Sequence, residues 1–330
     1  MKQKILNMLE ARRGEYISGE ELAEKFNVSR SAIWKIINSL RKEGHVIQSR
    51  TNKGYMLENF SDILTGQGII SHLKYDSMIK RVICFDEIDS TNNYAKSLIM
   101  NHDHNNDLHG TLIAANHQTS GRGRLGHSFE SPAGTGLYMS IILKPDNIKA
   151  ANFQFITIAD AVSVCLAIED LCPELSEALR IKWVNDIYLD NKKITGILTE
   201  AVTSFESGEI ESIVTGIGIN VSTKKFAGDY NAGSIFPDGR IKFGRDELCA
   251  RIADYIMNFA EDLNATQSHL IHEYRKRSLL IDSDITYIKD GETLTAHVLG
   301  ISSDGGLEII NQLGFKETLR SGEVNTIRRN

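Results

Sequence analysis

The chain has 330 residues, of which 41% are hydrophobic and 24% charged, and this is the composition of a globular protein with a sizeable core. A chain of this length predicts two or three domains. No apolar run approaches the ~20 residues needed to cross a bilayer, and the charged start is unlike a signal peptide. We therefore expect a cytoplasmic protein with no membrane partner. Four cysteines without a C-x-x-C pair indicate reduced thiols rather than a zinc site.

Charge is distributed unevenly along the chain. The net charge is −6, yet residues 1–60 hold 11 Lys and Arg against 7 Asp and Glu. A basic amino-terminal segment on an acidic chain predicts that this end of the protein meets a polyanion.

The first sixty residues have the pattern of a winged helix-turn-helix. Apolar residues within 5–9 indicate a first helix, and Ser18 with Glu21 three positions later forms the capping box of a second. Ser29 caps a third helix, in which the apolar residues of 33–40 recur at helical spacing. Two short strands around a turn then complete the pattern as a wing.

Helices in this position of a winged helix-turn-helix enter the major groove, while nearby basic residues hold phosphates. The predicted DNA contacts are Ser29, Arg30, Ser31, Lys35, Arg50 and Lys53. A three-helix protein-interaction domain is the alternative. The gathering of basic residues at the third helix and the wing favours DNA.

Residues 66–277 have the pattern of an α+β domain, a mixed sheet flanked by helices. Short apolar runs predict four buried strands at 81–85, 111–118, 136–143 and 212–221. Helices are predicted at 152–171, where charges are few, and at 245–263. The segment 179–202 is interpreted as a hairpin that turns at Asp190-Asn191.

Polar residues cluster where the predicted strands end, and each has an ordinary structural explanation when taken singly. Ser90 or Thr91 fits a helix cap, and Lys193 fits a solvated strand position. Gly216 and Gly218 fit close packing of the sheet. The loop GRGRLG at 121–126 matches neither a P-loop nor a dinucleotide-binding turn.

Five motifs in one order make the set specific. They are STN at 90–92, GRGRLG followed by SPAGTGLYMS, then KWVNDIYL, KKITGIL and GIGINV. The chain resembles the biotin–protein ligases over nearly its whole length. Its winged helix makes it similar to the bifunctional members, which also repress the biotin operon.

The resemblance implies an enzyme that forms biotinyl-5′-adenylate from biotin and ATP and passes biotin to a carrier lysine. The residues it implies for biotin are Ser90, Thr91, Asn92, Gln118, Arg122, Gly123, Arg124, Lys193, Gly196, Gly216 and Gly218. Those implied for ATP or the adenylate are Lys182, Asn185 and Asn220. The implied catalytic residues are Arg122, Lys193 and Asp186, and Asp186 is also the implied Mg²⁺ contact.

The implied partners are the biotin carboxyl carrier domain of acetyl-CoA carboxylase or pyruvate carboxylase, operator DNA, and a second copy of the chain in an adenylate-promoted homodimer. The loop 121–126 is expected to order over the ligand. Two positions depart from the family pattern: Val184 stands where proline is usual, and Phe129 where tryptophan is frequent.

Residues 278–330 change to short strands with turn signals at Lys289-Asp290-Gly291 and Asp304-Gly305-Gly306. The resemblance implies a small SH3-like barrel that helps to bind ATP or the carrier domain, and a stabilising appendage is the alternative. The predicted domains are therefore 1–65, 66–277 and 278–330. Three other functions stay open: a ligase without DNA binding, a biotin-sensing repressor without catalysis, and a lipoate ligase.

Overall fold

The computed structural model describes residues 1–330 except 43, 59–61, 102–106, 145–152, 204–209, 229–230, 290 and 328–330. In the described part the α-helices are α1 (Lys2–Glu10), α2 (Gly19–Phe26), α3 (Arg30–Lys42), α4 (Gly66–His72), α5 (Thr91–Met100), α6 (Phe153–Leu171), α7 (Arg245–Glu261) and α8 (Leu263–Lys276). The strands are β1 (Ile47–Arg50), β2 (Gly54–Leu57), β3 (Arg81–Phe85), β4 (Thr111–Ala115), β5 (Gly136–Leu143), β6 (Leu179–Lys182), β7 (Asp186–Leu189), β8 (Lys192–Thr203), β9 (Ile210–Asn220), β10 (Asp284–Lys289), β11 (Glu292–Ile301), β12 (Leu307–Asn311), β13 (Lys316–Leu319) and β14 (Val324–Thr326). None of the helices described here is long and apolar enough to cross a membrane.

The amino-terminal region is the predicted helix-turn-helix with a wing. Ser18 Oγ accepts a hydrogen bond from Glu21 N at 2.9 Å and so starts α2, and Asn27 ends that helix at a φ of +51°. The antiparallel pair β1–β2 forms the wing. This region has an apolar core of its own, made of Ile5, Leu6, Leu9, Ile17, Leu22, Ala23, Ile33, Ile37, Leu40, Ile47 and Leu57.

A seven-stranded mixed sheet forms the centre of the protein, as predicted. Its strand order is β3-β4-β5-β9-β8-β7-β6, and β3–β4 is its parallel pair. Since side chains alternate across a strand, Ile113 packs with α5 on one face while Leu112 joins the core under α6 and α7 on the other. α6 is buried around most of its circumference, which explains its scarcity of charge. Its predicted first residue, Asn152, lies outside the described residues.

The prediction of a single hairpin over 179–202 was wrong. The segment makes three strands, because the chain turns once at 183–185 and again at Asp190-Asn191. Asn185 creates the first turn: its carbonyl accepts from Ile197 N at 3.0 Å and its side chain donates to Ile197 O at 2.8 Å. The second turn is confirmed, with φ values of +47° and +61° at its two residues.

Two helices were missed by the sequence reasoning. α4 is short and follows the linker, the segment between β2 and α4 that contains Asp62 and Thr65. Thr65 Oγ1 accepts from Gly68 N at 2.9 Å and so starts the helix. The predicted helix 245–263 ends at Glu261 in the structure, and Asp262 then caps α8 by accepting from Ala265 N at 2.9 Å. An aspartate inside a charged helical run gave no separate signal for a new helix start.

The tail is a five-stranded antiparallel sheet in the order β13-β12-β11-β10-β14. The turn at Asp304-Gly305-Gly306 is confirmed, with Gly305 at a φ of +87°. In the other predicted turn Asp290 lies outside the described residues. Buried residues of the tail, such as Val298 and Leu307, belong to the same apolar core as the central sheet.

Two ion pairs tie the amino-terminal region and its linker to the start of α7. Arg13 Nη2 lies 2.5 Å from Asp246 Oδ2, and Arg13 also pairs with Glu10. Next to it, Arg245 Nε donates to Asp62 Oδ1 of the linker at 3.0 Å. Arg245 Nη1 also donates to the Gly136 carbonyl at 3.0 Å, at the start of the central strand β5.

Candidate functional site

A cavity of about 400 Å³ opens where the segment after β4, the β6–β9 strands and the start of α5 meet the loop 121–126. Every residue predicted for biotin, ATP or Mg²⁺ lines it. They are Ser90, Thr91, Asn92, Gln118, Arg122, Gly123, Arg124, Lys182, Asn185, Asp186, Lys193, Gly196, Gly216, Gly218 and Asn220. The structure thus brings together residues that are up to 130 positions apart in the sequence.

A buried polar network forms one end of the cavity at the start of α5. Ser90 Oγ caps the helix, and Gln118 Oε1 accepts from Thr91 N at 2.9 Å and from its hydroxyl at 3.2 Å. Asn92 Nδ2 donates to Leu198 O at 3.1 Å. Hydrogen bonds among these neutral donors and acceptors hold them in place. A neutral, ordered set of this kind suits a neutral polar group of a ligand.

The loop 121–126 reaches both sides of the cavity through its two arginines. Arg122 Nη1 lies 3.2 Å from Glu200 Oε1, and Arg124 Nη1 donates to Asn185 Oδ1 at 3.1 Å. Directly after Arg124, Leu125 is 72% exposed at a φ of +53°. The loop therefore carries its charges inward and its apolar residue outward.

Lysines line the opposite wall. Lys193 Nζ lies 2.7 Å from Asp186 Oδ1, across the β7–β8 pair. Lys182 Nζ donates to Asn325 Oδ1 of the tail at 3.3 Å, and burial lowers the pKa of Lys182. Together with the two loop arginines, these lysines give the cavity four cations and make it suited to a phosphate-bearing ligand.

The two departures from the family pattern have clear places in the structure. Val184 is buried at the turn before Asn185, and its carbonyl accepts from Tyr274 Oη at 3.1 Å. The ring of Phe129 lies on the cavity floor. A Cβ placed on Gly218 would come within 2.5 Å of Phe129 Cε1, so that glycine makes room for the ring. Likewise, a Cβ on Gly216 would lie 2.1 Å from Asn92 Oδ1.

The cavity offers few carboxylates that could bind a magnesium ion. Among the described residues no three His, Cys, Asp or Glu side chains group in a way that could hold a metal. Asp186 is directed at the cavity, but it is paired with Lys193. Mg²⁺ often binds through one carboxylate, several waters and substrate phosphates, and this set fits only that mode.

Sequence reasoning missed Glu200, which joins the start of α5 to the loop 121–126 through Asn92 and Arg122. Its Oε2 accepts from Asn92 Nδ2 at 2.9 Å, its Oε1 from Lys96 Nζ at 2.9 Å, and Arg122 lies beside it. Burial alone would raise the pKa of Glu200, but these hydrogen bonds and charges outweigh burial and lower it. The only signal in the sequence was the position of Glu200 directly after KKITGILT.

The tail also contributes to the cavity wall, through Gly322, Glu323, Val324 and Asn325. Glu323 Oε1 lies 3.5 Å from His127 Nε2, next to the loop 121–126. No local pattern marks these tail residues, because their role depends on how the tail packs against the body.

The chain is similar to known proteins over both its amino-terminal region and its central sheet. Residues 84–220 match the Biotin/lipoate A/B protein ligase family, and residues 2–56 match an HTH domain. The bifunctional ligase/repressor BirA of Escherichia coli is 33% identical over 321 residues, which cover 94% of this chain and 93% of that protein. The BirA of Salmonella typhimurium is 30% identical with the same coverage.

The chain belongs to the bifunctional ligase/repressors of the Biotin/lipoate A/B protein ligase family. Against the BirA of Bacillus subtilis the identity is 36%, over 67% of this chain and 65% of that protein's length. Among solved structures, a biotin protein ligase of Aquifex aeolicus in complex with biotin and ATP aligns at a TM-score of 0.59. That alignment has 25% identity and covers 76% of this chain and all of the other.

Proposed function

We propose that this protein is an ATP-dependent biotin–protein ligase that also represses transcription of biotin synthesis and transport genes. As a ligase it joins biotin to ATP, giving biotinyl-5′-adenylate and pyrophosphate. It then transfers biotin to a lysine of a biotin carboxyl carrier domain, of acetyl-CoA carboxylase or pyruvate carboxylase. It works in the cytoplasm, where both substrates and DNA are available.

In the first step a carboxylate oxygen of biotin bonds to the α-phosphorus of ATP as the bond to pyrophosphate breaks. Two negative groups must approach each other, and negative charge grows on the phosphate oxygens. Arg122 and Lys193 stabilise that charge, since fixed cations inside a cavity need no reorganisation during the reaction. In the second step the deprotonated carrier amine attacks the acyl carbon, and AMP leaves.

The observation that carries this proposal is the meeting of two cationic segments across one cavity. The loop 121–126 faces the strand pair that holds Lys193, with Arg124 and Asn185 joined at 3.1 Å. Beside them lies the neutral network of Thr91 and Gln118. A ligand with a neutral polar ring at one end and phosphates at the other matches this division.

The individual roles that we propose are those implied by the resemblance to the family. The biotin ring system lies against Ser90, Thr91, Asn92, Gln118, Gly123, Gly196, Gly216 and Gly218, and its carboxylate meets Arg122, Arg124 and Lys193. The nucleotide lies toward Lys182, Asn185 and Asn220. Asp186 would be the protein ligand of a Mg²⁺ ion bound to the ATP phosphates, and that ion would supply further charge neutralisation. Asp186 also holds the Lys193 ammonium at 2.7 Å.

Closure of the loop 121–126 over the adenylate protects the mixed anhydride from water and signals that biotin is plentiful. The ordered loop completes a homodimer interface, and the dimer binds an operator with two half-sites through Ser29, Arg30, Ser31, Lys35, Arg50 and Lys53. Residues 1–65, 66–277 and 278–330 then serve DNA binding, catalysis and ligand or carrier contact. The tail as an SH3-like barrel stays a prediction.

Mass spectrometry of a carrier domain incubated with the protein, biotin and Mg-ATP tests the ligase. A gain of one biotin that requires ATP is expected. A gain with lipoate alone would change the substrate, and no gain with either would leave a DNA-binding sensor.

Binding of the protein to promoter DNA of biotin genes, with and without biotin and ATP, tests the repressor. Loss of that binding in Arg30→Ala/Lys35→Ala is expected.

A further inference from the structure

Trp34 is exposed on α3 in a way that the core of the domain does not explain. Ile33 and Ile37 of this helix are fully buried, whereas Trp34 is 56% exposed. It is the most exposed large apolar side chain among the described residues of 1–58. Tryptophan is enriched at interfaces, because its ring is apolar and its N–H is polar, so this indole is a candidate contact residue if its surroundings also fit a partner.

The surroundings of Trp34 are cationic. α3 carries four basic residues and no acidic one, on a chain whose net charge is −6. Trp34 lines a shallow groove together with Lys35, Asn38, Ser39, Arg41 and Lys42. Arg30 and Ser31 lie one turn before Trp34, and side chains three or four apart share a helix face. This charge complements DNA and disfavours an apolar protein surface as the partner.

Arg41 stabilises the groove through hydrogen bonds to the wing and to Asn38. Its Nε donates to Ile47 O at 2.8 Å, and its Nη1 donates to Asn38 Oδ1 at 3.3 Å. Arg41 therefore joins α3 to the wing strand β1 and holds Asn38 one turn beyond Trp34. The exposed face is thus fixed in shape before any partner arrives.

The major groove offers one apolar feature on a base edge, the C5-methyl group of thymine. Apolar side chains on a helix in the groove contact that methyl, whereas basic and hydroxyl side chains hold phosphates. Trp34 is the fifth residue of α3, and it is the amino-terminal half of such a helix that meets base edges.

We propose that Trp34 is a specificity-determining residue that reads a thymine methyl group in each operator half-site. The proposal rests on the repressor function proposed above and adds base recognition to it. It predicts an operator with a thymine at one symmetric position of both half-sites, which Trp34 covers when α3 enters the groove.

The test uses the full-length protein with biotin and Mg-ATP and a duplex selected by it from a random DNA library. Each thymine of that duplex is replaced in turn by deoxyuridine, which lacks only the methyl group. Burial of one methyl contributes about a fourfold change in affinity, so replacing the symmetric pair is expected to weaken binding about fifteenfold. Trp34→Ala is expected to bind more weakly overall and to treat thymine and uracil at that position alike.

Val46→Ala is the matched control, because Val46 is an apolar residue of the same domain, 51% exposed, just before β1. It should keep the discrimination. Trp34→Phe keeps an aromatic ring, so it should keep part of the discrimination between thymine and uracil. This variant can therefore be measured if Trp34→Ala binds no duplex. Circular dichroism of each variant checks the fold. Acrylamide quenching gives a direct readout, since Trp183 is buried and Trp34 should become protected on duplex binding.

The outcomes separate this proposal from the repressor function. If the wild type selects no duplex, the repressor function fails and this proposal fails with it. If the wild type binds but no thymine replacement matters, or Trp34→Ala keeps the discrimination, the repressor function stands and the role of Trp34 is overturned. Protection of Trp34 by a protein fraction but by no duplex would overturn it as well.

Discussion

At the scale of single residues, the cations of the cavity are each held by a named carboxylate or amide. Lys193 is held by Asp186, Arg122 by Glu200, and Arg124 by Asn185. A cation fixed in this way stabilises developing phosphate charge without having to be ordered first. Substitution of the carboxylates can therefore test the site, as substitution of the cations can.

Lys193→Ala is expected to slow biotin-dependent ATP–pyrophosphate exchange by about a hundredfold or more, in line with the loss of one fixed donor at a developing charge. Lys192→Ala is the matched control, since Lys192 is the exposed neighbour on β8. Circular dichroism should show the same fold in both. Equal exchange rates in the two variants would refute the role given to Lys193.

Glu200→Gln is expected to slow the same exchange about tenfold, because charge-assisted hydrogen bonds are worth roughly 1.5–3 kcal/mol and Arg122 would lose its carboxylate partner. Arg122 would keep the hydrogen bond to the neutral Asn93 Oδ1 at 3.2 Å. The amide keeps the shape of the side chain and its contact with Asn92. Glu87→Gln, at an exposed carboxylate that pairs with His117, serves as the control. An exchange rate in Glu200→Gln that matches the control would mean that Arg122 is positioned by other groups.

At the scale of elements, the strand β9 and the loop that follows 121–126 are in direct steric contact. Gly218→Ala would place a Cβ 2.5 Å from Phe129 Cε1. Overpacking of this kind costs about 1–3 kcal/mol, so thermal unfolding should move several degrees lower and biotin should bind more weakly.

Gly66→Ala is the control for that change, because a Cβ there meets its nearest atom at 3.6 Å, an ordinary contact. Adding Phe129→Leu to Gly218→Ala should restore part of the lost stability, since leucine reaches less far into the space above the glycine. No recovery in the double variant would show that the cost of Gly218→Ala arises elsewhere.

The helix α6 carries a buried carboxyl under the strands β8 and β9. Asp160 is 0% exposed, and its Oδ2 accepts from Thr199 Oγ1 at 3.2 Å and Thr215 Oγ1 at 3.1 Å. Burial raises its pKa to about 8. An unfolded aspartate has a pKa of about 4, so between these values the folded protein binds the extra proton and the free energy of unfolding falls as pH rises.

Asp160→Asn should remove this dependence. As pH rises from about 4 to about 8, the free energy of unfolding of the wild type should fall relative to that of the variant. Above that range the difference between the two should stay constant. Denaturant unfolding at several pH values measures it. A free energy of unfolding for Asp160→Asn that stays parallel to that of the wild type across this pH range would contradict the prediction.

At the scale of the whole molecule, the start of α7 links the DNA-binding region to the cavity. Asp246 holds Arg13 of the amino-terminal region, and Arg245 holds the linker and the start of β5. β5 in turn pairs with β9, where Gly136 lies opposite Asn220. Contacts that differ between the empty and the liganded cavity can bias the position of the DNA-binding region by this route.

Arg13→Met should weaken the link. Because it removes the cation that pairs with the buried carboxylates of Glu10 and Asp246, thermal unfolding is measured first to establish that the variant is folded in the binding assay. We expect operator binding to respond less to biotin and ATP, with the ratio of affinities with and without ligand reduced about tenfold, since such couplings amount to roughly 1–3 kcal/mol. Arg12→Met is the control, because Arg12 pairs only with Glu15 and Glu21 of its own region in the described structure. An unchanged ratio in Arg13→Met would remove this contact from the signalling route.

Much of the fold was predictable, because its determinants are local. The cap Ser18–Glu21, the turn Asp190-Asn191 and the buried run of α6 each depend on residues a few positions apart, and all three are confirmed. The turn at Asn185 was missed because it is closed by Ile197, twelve residues later. α8 was missed because its cap lies within a continuous helical pattern.

The sequence by itself determined the family and fifteen of the residues that line the cavity, since these residues lie in or beside short motifs that occur in one order from STN to GIGINV. Only the tertiary structure decided which partners these residues take. Glu200 reaches Arg122 across 78 positions, and Glu323 of the tail reaches His127 across almost 200. Such pairs are set by strand register and by the packing of the tail on the body, and these depend on the summed burial of many side chains rather than on any local pattern.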